Sequence, residues 1–205
     1  MEKKKLLFCT HNPSKAKHVA RAIKEYDVEL LTLEDIGLEN IDAPEDGDTF
    51  SEVAKNKFNY YAEHIDDPDL VLFVDDSGLS IDALNGEPGV KSRRWKDGQT
   101  EMTDQEAVEY LQERMKDVPQ GQRSARFTSV IAYGKKDQRP SIVSGEVRGI
   151  ILVEPRMHYV TPGYPYRAFF YVDGEDAMLS DLEKNPEWDT HRDLAIKKMA
   201  VELNL

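Results

Sequence analysis

The run Leu70-Val71-Leu72-Phe73-Val74 constrains the fold more than any other feature of this chain. It is short, continuous, apolar and partly β-branched, the composition of a strand buried in a sheet. Asp75, Asp76, Ser77 and Gly78 follow at once. That order reads as a strand ending in a Ser-Gly turn, with two adjacent carboxylates at its carboxyl end. Open α/β sheets bind ligands at the carboxyl ends of their strands. One acid there is ordinary turn chemistry. Two side by side, with other polar clusters at strand ends, suggest a metal-assisted site in which one acid holds a metal and one takes a proton from water.

The neighbouring segments fit an α/β arrangement. Residues 5–10 read as a first strand, and Asn12-Pro13 then gives a strong helix start, a capping side chain followed by proline at the first helical position. Ala16, Val19, Ala20 and Ile23 supply the apolar stripe of that helix, and residues 28–33 a second strand. After an acidic, loop-like stretch over 34–48, Thr49 with Glu52 and Thr103 with Glu106 form capping boxes for two further helices, the latter running to about Met115. Residues 117–122 read as a linker, and 126–133 with 142–153 as two strands joined through 134–140. Residues 155–165 are loop-like and aromatic-rich, and Asp189-Thr190 caps a final helix with Leu194, Ala195, Met199 and Leu203 inward. Hairpin-like strands after βα units predict an α/β fold with a mixed sheet flanked by helices.

Charge narrows the partners. The chain has 205 residues and a formal net charge of -12, which argues against a nucleic-acid polymer or an anionic membrane surface. It leaves room for a small anionic substrate held by a local cluster of cations. The single cysteine, Cys9, cannot pair internally and falls within the first strand, where it reads as inert core in a reducing compartment. No apolar run approaches the about 20 residues of a membrane span. The basic start, Lys3-Lys4-Lys5, is followed by too short an apolar run for a signal peptide, so the expected location is the cytoplasm.

Five clusters carry candidate chemistry. Thr10-His11-Asn12-Pro13-Ser14-Lys15 places a polar turn and a lysine at a helix start, where free N–H groups can bind an anion. Glu45-Asp46-Gly47-Asp48-Thr49-Phe50, with Lys57 two turns on, can offer a hard oxygen ligand to Mg²⁺. Asp75-Asp76-Ser77-Gly78 is the third. In the fourth, Thr190-His191-Arg192, two cationic types sit at the positive end of a helix, just after Lys184 and Asn185. A ligand, or a carboxylate such as Asp189 or Asp193, would relieve that, unless the pair is simply solvated. The fifth, Gly163-Tyr164-Pro165-Tyr166, is a rigid aromatic turn able to stack on a planar ring, or to pack a loop.

Together these clusters resemble the inosine triphosphate pyrophosphatase family over residues 6–199. Thr10 to Lys15 is similar to its T-x-N-x-x-K phosphate motif, Glu45 to Lys57 to its E-x-G-x-T-F-x-x-N-A-x-x-K segment, Asp75 to Gly78 with 82–90 to its most characteristic stretch, and Thr190-His191-Arg192 to its terminal S-H-R. Gly145 to Gly149, Pro155 and Arg156 fit the strand and loop before its base pocket. Val53 stands where the family usually has asparagine, and Gly163-Tyr164-Pro165-Tyr166-Arg167-Ala168-Phe169-Phe170 where it reads G-F-G-Y-D-P-I-F, so Arg167 replaces an acid.

The resemblance implies a single domain over 1–205, with two lobes and the active site in the cleft between them, and a homodimer. It implies hydrolysis of ITP, dITP or XTP to the monophosphate and pyrophosphate. Glu45 and Asp76 would hold Mg²⁺. Asp76, with Asp75, would serve as base, and Lys15 and Lys57 would neutralise phosphate beside Thr10, His11, Asn12 and Ser77. Tyr164 would stack on the base, His191 and Arg192 would donate to its 6-position, and Arg167, beside the base pocket, and Lys184 would join them in binding substrate. Two further readings follow from the departures: a nucleotide-binding or regulatory relative without full catalysis, and a pyrophosphatase for a different nucleotide because of Arg167.

Overall fold

The computed structural model describes residues 3–159 and 162–205. The strands are β1 (Lys4–Phe8), β2 (Val28–Thr32), β3 (Val71–Ile81), β4 (Ser124–Lys135), β5 (Ser141–Ile151), β6 (Phe170–Val172) and β7 (Ala177–Met178). The α-helices are α1 (Pro13–Ala22), α2 (Phe50–Ala62), α3 (Asp104–Met115), α4 (Leu179–Leu182) and α5 (His191–Leu203). The sheet order is β2-β1-β3-β4-β5-β6-β7. β1 runs parallel to β2, with Lys4 opposite Val28, and parallel to β3, with Leu6 opposite Val71. β6 is antiparallel to β5 and to β7, so the expected mixed α/β sheet is borne out. The five residues between β4 and β5 are too few for a parallel crossover, which makes that pair a hairpin.

The local signals act as expected at three helix starts. Asn12 caps α1 by accepting from the N–H groups of Ser14 and Lys15, with Pro13 at the first turn. Thr49 with Glu52, and Thr103 with Glu106, complete both halves of their capping boxes. Cys9 is a buried free thiol just past the end of β1, and burial pushes its titration well up. Of the aromatic-rich stretch over 155–165, positions 160 and 161 lie outside the described residues. Among those described, no helix is long and apolar enough to cross a membrane.

One expectation is overturned. β3 does not end before Asp75 but runs unbroken to Ile81, so Asp75-Asp76-Ser77-Gly78 is mid-strand and not a turn. The signal for this lies after the glycine: Leu79 and Ile81 restore a period-2 apolar alternation, and both are fully buried. An isolated glycine within such a pattern is tolerated by a strand.

The chain forms two compact units, one of Met1–Ser77, Ser129–Gly145 and His191–Leu205, the other of Gly78–Thr128 and Glu146–Thr190. In the first, strand parity sorts the core into two layers. Leu7, Leu72, Val74, Val130 and Ala132 face α2, packing on Ala54, Phe58 and Tyr61. Leu6, Phe8, Val71, Phe73, Ile131 and Val143 face the other way, onto Val19, Ala195, Ile196 and Met199 of α1 and α5. Phe8 and Phe73 stack at 4.7 Å between ring centroids, a contact across the parallel pair. In the second unit, Leu79 and Ile81 pack with Ala107, Val108 and Leu111 of α3 and with Phe169 and Phe170.

Gly145 of β5 sets how closely α5 approaches the sheet. A Cβ there would lie 2.0 Å from the His191 carbonyl oxygen and 2.7 Å from the Ala195 nitrogen. The helix start therefore rests directly on strand backbone. Gly145→Ala is expected to cost about 3 kcal/mol or more, because backbone and not a flexible side chain must yield. A urea midpoint equal to wild type would refute this account of the contact.

Candidate active site

Adjacent residues of a strand point to opposite faces, so β3 separates the two acids. Asp75 shares parity with Val71 and Phe73 and belongs to the α1/α5 face. Asp76 shares parity with Leu72 and Val74 and belongs to the α2 face. This one-residue offset gives the two carboxylates different chemistry.

Asp75 is enclosed by donors. Its Oδ2 meets Lys15 Nζ at 2.9 Å and Arg192 Nε at 3.2 Å, and the Ser77 hydroxyl donates to it at 3.3 Å. Its Oδ1 accepts from the buried Ser129 hydroxyl. Lys15 Nζ also donates to the Asp75 carbonyl oxygen at 3.0 Å. Burial alone would push this carboxyl up, but the Arg192 and Lys15 cations and the Ser129 hydroxyl outweigh it and hold the group far below the usual carboxylate range. A carboxylate so committed is a poor base. Asp75 is held in a structural pairing, which favours Asp76 over it as the base.

Asp76 is the reverse case. It is buried, and its Oδ2 has no hydrogen-bond partner. Burial raises it to about 6, Asp75 and Glu45 add to that, and Lys15 and Lys57 oppose it. A carboxylate near 6 is largely ionised at neutral pH yet basic enough to accept a proton. Nearby, Lys57 on α2 pairs with Glu45 at 2.5 Å. The loop carrying Glu45 is fastened to α2: Asn56 donates to the Asp46 carbonyl at 2.7 Å, and the Asp48 and Thr49 N–H groups bond Glu52. Gly47 has φ +143°, and a Cβ there would sit 2.9 Å from Glu52 Cβ and 3.1 Å from Val53 Cγ2. Val53, the departure from the resemblance, is thus a buried packing residue under this loop.

The first polar turn is joined to the same loop region. His11 Nε2 donates to the Ile41 carbonyl at 2.7 Å, which fixes the proton on Nε2. Thr10 Oγ1 accepts from the Asn12 N–H at 3.1 Å and keeps its own hydrogen to donate. The start of α5 is buried, not a solvated surface pair: Thr190, His191 and Arg192 are all enclosed. Arg192 also donates through Nη2 to Ser77 Oγ at 3.0 Å. Asp193 is engaged by His18 at 2.9 Å and Arg21 at 3.5 Å, which ties the first turn of α5 to α1, the helix that carries Lys15.

The remaining candidates lie in the second unit. Arg167 pairs with Glu183 at 2.8 Å, both side chains largely buried, and its guanidinium lies 3.9 Å from the Tyr164 ring centre. The preceding glycine is held too: Asp104, which also takes Arg93 at 2.6 Å, accepts from the Gly163 N–H at 2.9 Å. Lys184 is exposed and pairs with Asp181 at 2.8 Å.

Two contributors escaped the sequence reading, Ser129 and His18. Ser129 had a signal: it is a small polar side chain on the inward face of β4 that Ile131 and Tyr133 otherwise fill with large ones. His18 had none, since a polar residue on an amphipathic helix is ordinary.

Could this site hold a metal? Among the described residues no three His, Cys, Asp or Glu side chains form a ready cage. Mg²⁺ does not ask for one, because it keeps several waters and uses one or two carboxylates with substrate phosphates. The orphaned, buried Oδ2 of Asp76 and the carboxylate of Glu45, each a hard oxygen donor, fit that pattern.

A mixed α/β sheet that gathers a buried carboxylate and lysines fits a protein that handles small anions, and comparison with known proteins gives the family. The sequence profile of the Ham1 family matches residues 6–202. The chain is 34% identical over 200 residues to the dITP/XTP pyrophosphatase of Bacillus subtilis, covering 96% of each chain, and 33% identical over 196 residues to that of Escherichia coli K12, covering 94% of each. The solved structure of the Staphylococcus aureus Ham1 protein superposes with a TM-score of 0.80 at 27% identity, and a HAM1 protein from Coxiella burnetii with 0.81 at 28%, each covering 98% of both chains. This chain belongs to the Ham1 family, and it is an enzyme of the pyrophosphate-releasing hydrolase class.

Proposed function

We propose that the chain hydrolyses non-canonical purine nucleoside triphosphates (ITP, dITP and XTP) to the monophosphate and pyrophosphate, with Mg²⁺ as cofactor and as a homodimer. The observation that carries the reading is Asp76: a buried carboxylate with an unpartnered oxygen, raised to about 6, in electrostatic reach of Lys15 and Lys57. The names of the relatives supply the substrate class.

Asp76 positions a water and takes its proton as the oxygen attacks the α-phosphorus. The bond to the bridging oxygen breaks, and pyrophosphate leaves with the electron pair. Lys15 and Lys57 carry the charge that builds on the phosphate oxygens, and the Thr10 hydroxyl, which keeps its own hydrogen, donates to them. When bound by Glu45 and Asp76, Mg²⁺ would neutralise phosphate charge and polarise the reacting phosphorus. For the base, the proposal keeps Tyr164 as a stacking ring and His191 as a donor suited to a 6-position acceptor, a choice that discriminates because adenine would leave the donor unpaired. Arg192 acts first through Asp75.

Arg167 is the ground for reading a different nucleotide. Its charge is met by Glu183 at 2.8 Å, which removes the local excess of positive charge on which that reading rests.

The test is a panel of ITP, dITP, XTP and the common nucleotides at fixed Mg²⁺, with pyrophosphate measured directly. The non-canonical purines should be turned over about 100-fold better than ATP or GTP, in line with rejection by an unpaired polar group. Excess chelator should abolish release. Full activity in chelator would refute the metal assignment, and release from no nucleotide would refute the activity.

A further inference from the structure

Ser129 is, with Ser77, an uncharged member of the Asp75 cluster, and the one that holds Oδ1. It is fully buried on β4, on the strand face that Ile131 and Tyr133 fill with apolar atoms, and its hydroxyl donates to Asp75 Oδ1. A buried hydroxyl on such a face has a cost unless it is bonded, and an alanine would pack there without that requirement.

The geometry shows what the bond does. Asp75 Oδ2 is the oxygen shared by Lys15 and Arg192. With Oδ1 held by Ser129, the carboxylate cannot turn about its Cβ–Cγ bond, so Oδ2 stays aimed at Lys15. The lysine is then gripped twice by one residue, through this oxygen and through the Asp75 backbone carbonyl at 3.0 Å. A lysine side chain is otherwise free to sample many rotamers. Arg192 comes to the same carboxylate from α5, whose first turn rests on Gly145 and is tied to α1 by Asp193 and His18. The cluster therefore presents a fixed ammonium group on the helix that opens the phosphate-binding turn.

We infer that Ser129 is a positioning residue for the reaction: by locking the Asp75 carboxylate in one rotamer it fixes the Lys15 ammonium where phosphate charge develops. The inference rests on the triphosphate-hydrolysing reading of the site. Reaction requires groups to be held in near-attack geometry, so loosening the lysine lowers the rate more than it weakens binding.

Ser129→Ala and Ser129→Cys test this in the full chain by two measurements. The first is kcat and KM with dITP and XTP. The second is the rate at which an acylating reagent labels Lys15 in the substrate-free protein, read by peptide mass spectrometry. Ser129→Ala should lose about tenfold in kcat with KM within about twofold, and label Lys15 about threefold faster or more. Ser129→Cys, which keeps a weak donor, should fall between, and it decides the matter if the alanine variant does not fold. A purely structural serine would move the urea midpoint but leave kcat and labelling at wild-type values, and that result overturns the inference. Absence of pyrophosphate release from the wild type overturns the functional reading instead, and the labelling rates then still decide whether Ser129 fixes Lys15.

Discussion

Asp76→Asn is expected to remove turnover and to stabilise the metal-free fold. The activity loss should be about 10³-fold, the range for removing a general base, and larger if metal binding is lost with it. The gain in stability follows from linkage. An ordinary carboxyl titrates at 3.8, and burial holds this one at about 6. The native state therefore prefers the protonated acid. Its contribution to stability is fully present below about pH 4 and is lost as pH rises through about 6. At neutral pH the ionised group costs the fold about 3 kcal/mol, part of which asparagine recovers. Denaturant midpoints without metal should separate in favour of the variant between pH 4 and 7, then stay apart. Adding Mg²⁺ should raise the wild-type midpoint and not that of the variant, because a ligand stabilises only the state that binds it. Near-wild-type pyrophosphate release by the variant would sink the assignment of Asp76. Equal midpoints across the pH range would sink the account of its strained ionisation.

The helix starts and the sheet class were legible because their causes are local. Asn12-Pro13 and the two capping boxes satisfy backbone N–H groups within four residues, so a linear pattern holds all the information needed. β3 misled for an equally physical reason. Asp-Ser-Gly is turn chemistry in isolation, and only the strand pairing and the burial of Leu79 and Ile81 override it. Reading the alternation through Gly78 would have put Asp75 and Asp76 on opposite faces, and with them the separation of their roles.

The site shows the same division. Lys15, Lys57, Glu45 and Asp76 belong to motifs whose spacing is visible in the chain. The partners that set their chemistry are far away in sequence. Arg192 reaches Asp75 across 117 positions, and Ser129 across 54. Sequence reading looked to Asp189 or Asp193 as a local counter-charge for the helix start; it had no way to add the distant partners, Asp75 for Arg192 Nε and His18 and Arg21 for Asp193. Arg167 likewise read as a charge reversal because Glu183 stands 16 residues on, in a different element. Such pairings are set by the packing of helices on strands, which no local pattern encodes.

Asp75→Asn should produce the largest loss of stability of any isosteric change in the cluster. Asparagine keeps the volume, and its one amide oxygen can accept either from Ser129 or from the Lys15 and Arg192 side. It removes the negative charge that Arg192, 1% exposed, and Lys15, 16% exposed, share. Guanidinium does not deprotonate in a protein, so this loss cannot be relieved by titration. Taking one partner from a buried pair costs about 3–5 kcal/mol. The pH dependence gives a check that general damage to the core would not. The Asp75 carboxyl lies far below its ordinary value, so its stabilising contribution is complete above about pH 4, begins to fade below that, and is lost as pH falls through its own depressed titration. Urea midpoints of wild type and variant should thus differ by a constant amount from pH 5 to 8 and converge below pH 4, as the wild type gives up what the variant never had. A gap that persists undiminished to pH 3 would mean that asparagine harms the fold by its shape, and the ionic account of the cluster would fall. The two acids are then expected to respond with opposite signs, Asp76 made stabler and Asp75 weaker by the same chemical change. That contrast follows from strand parity alone, since it is parity that gives one carboxylate the cations of α1 and α5 and leaves the other with an unsatisfied oxygen.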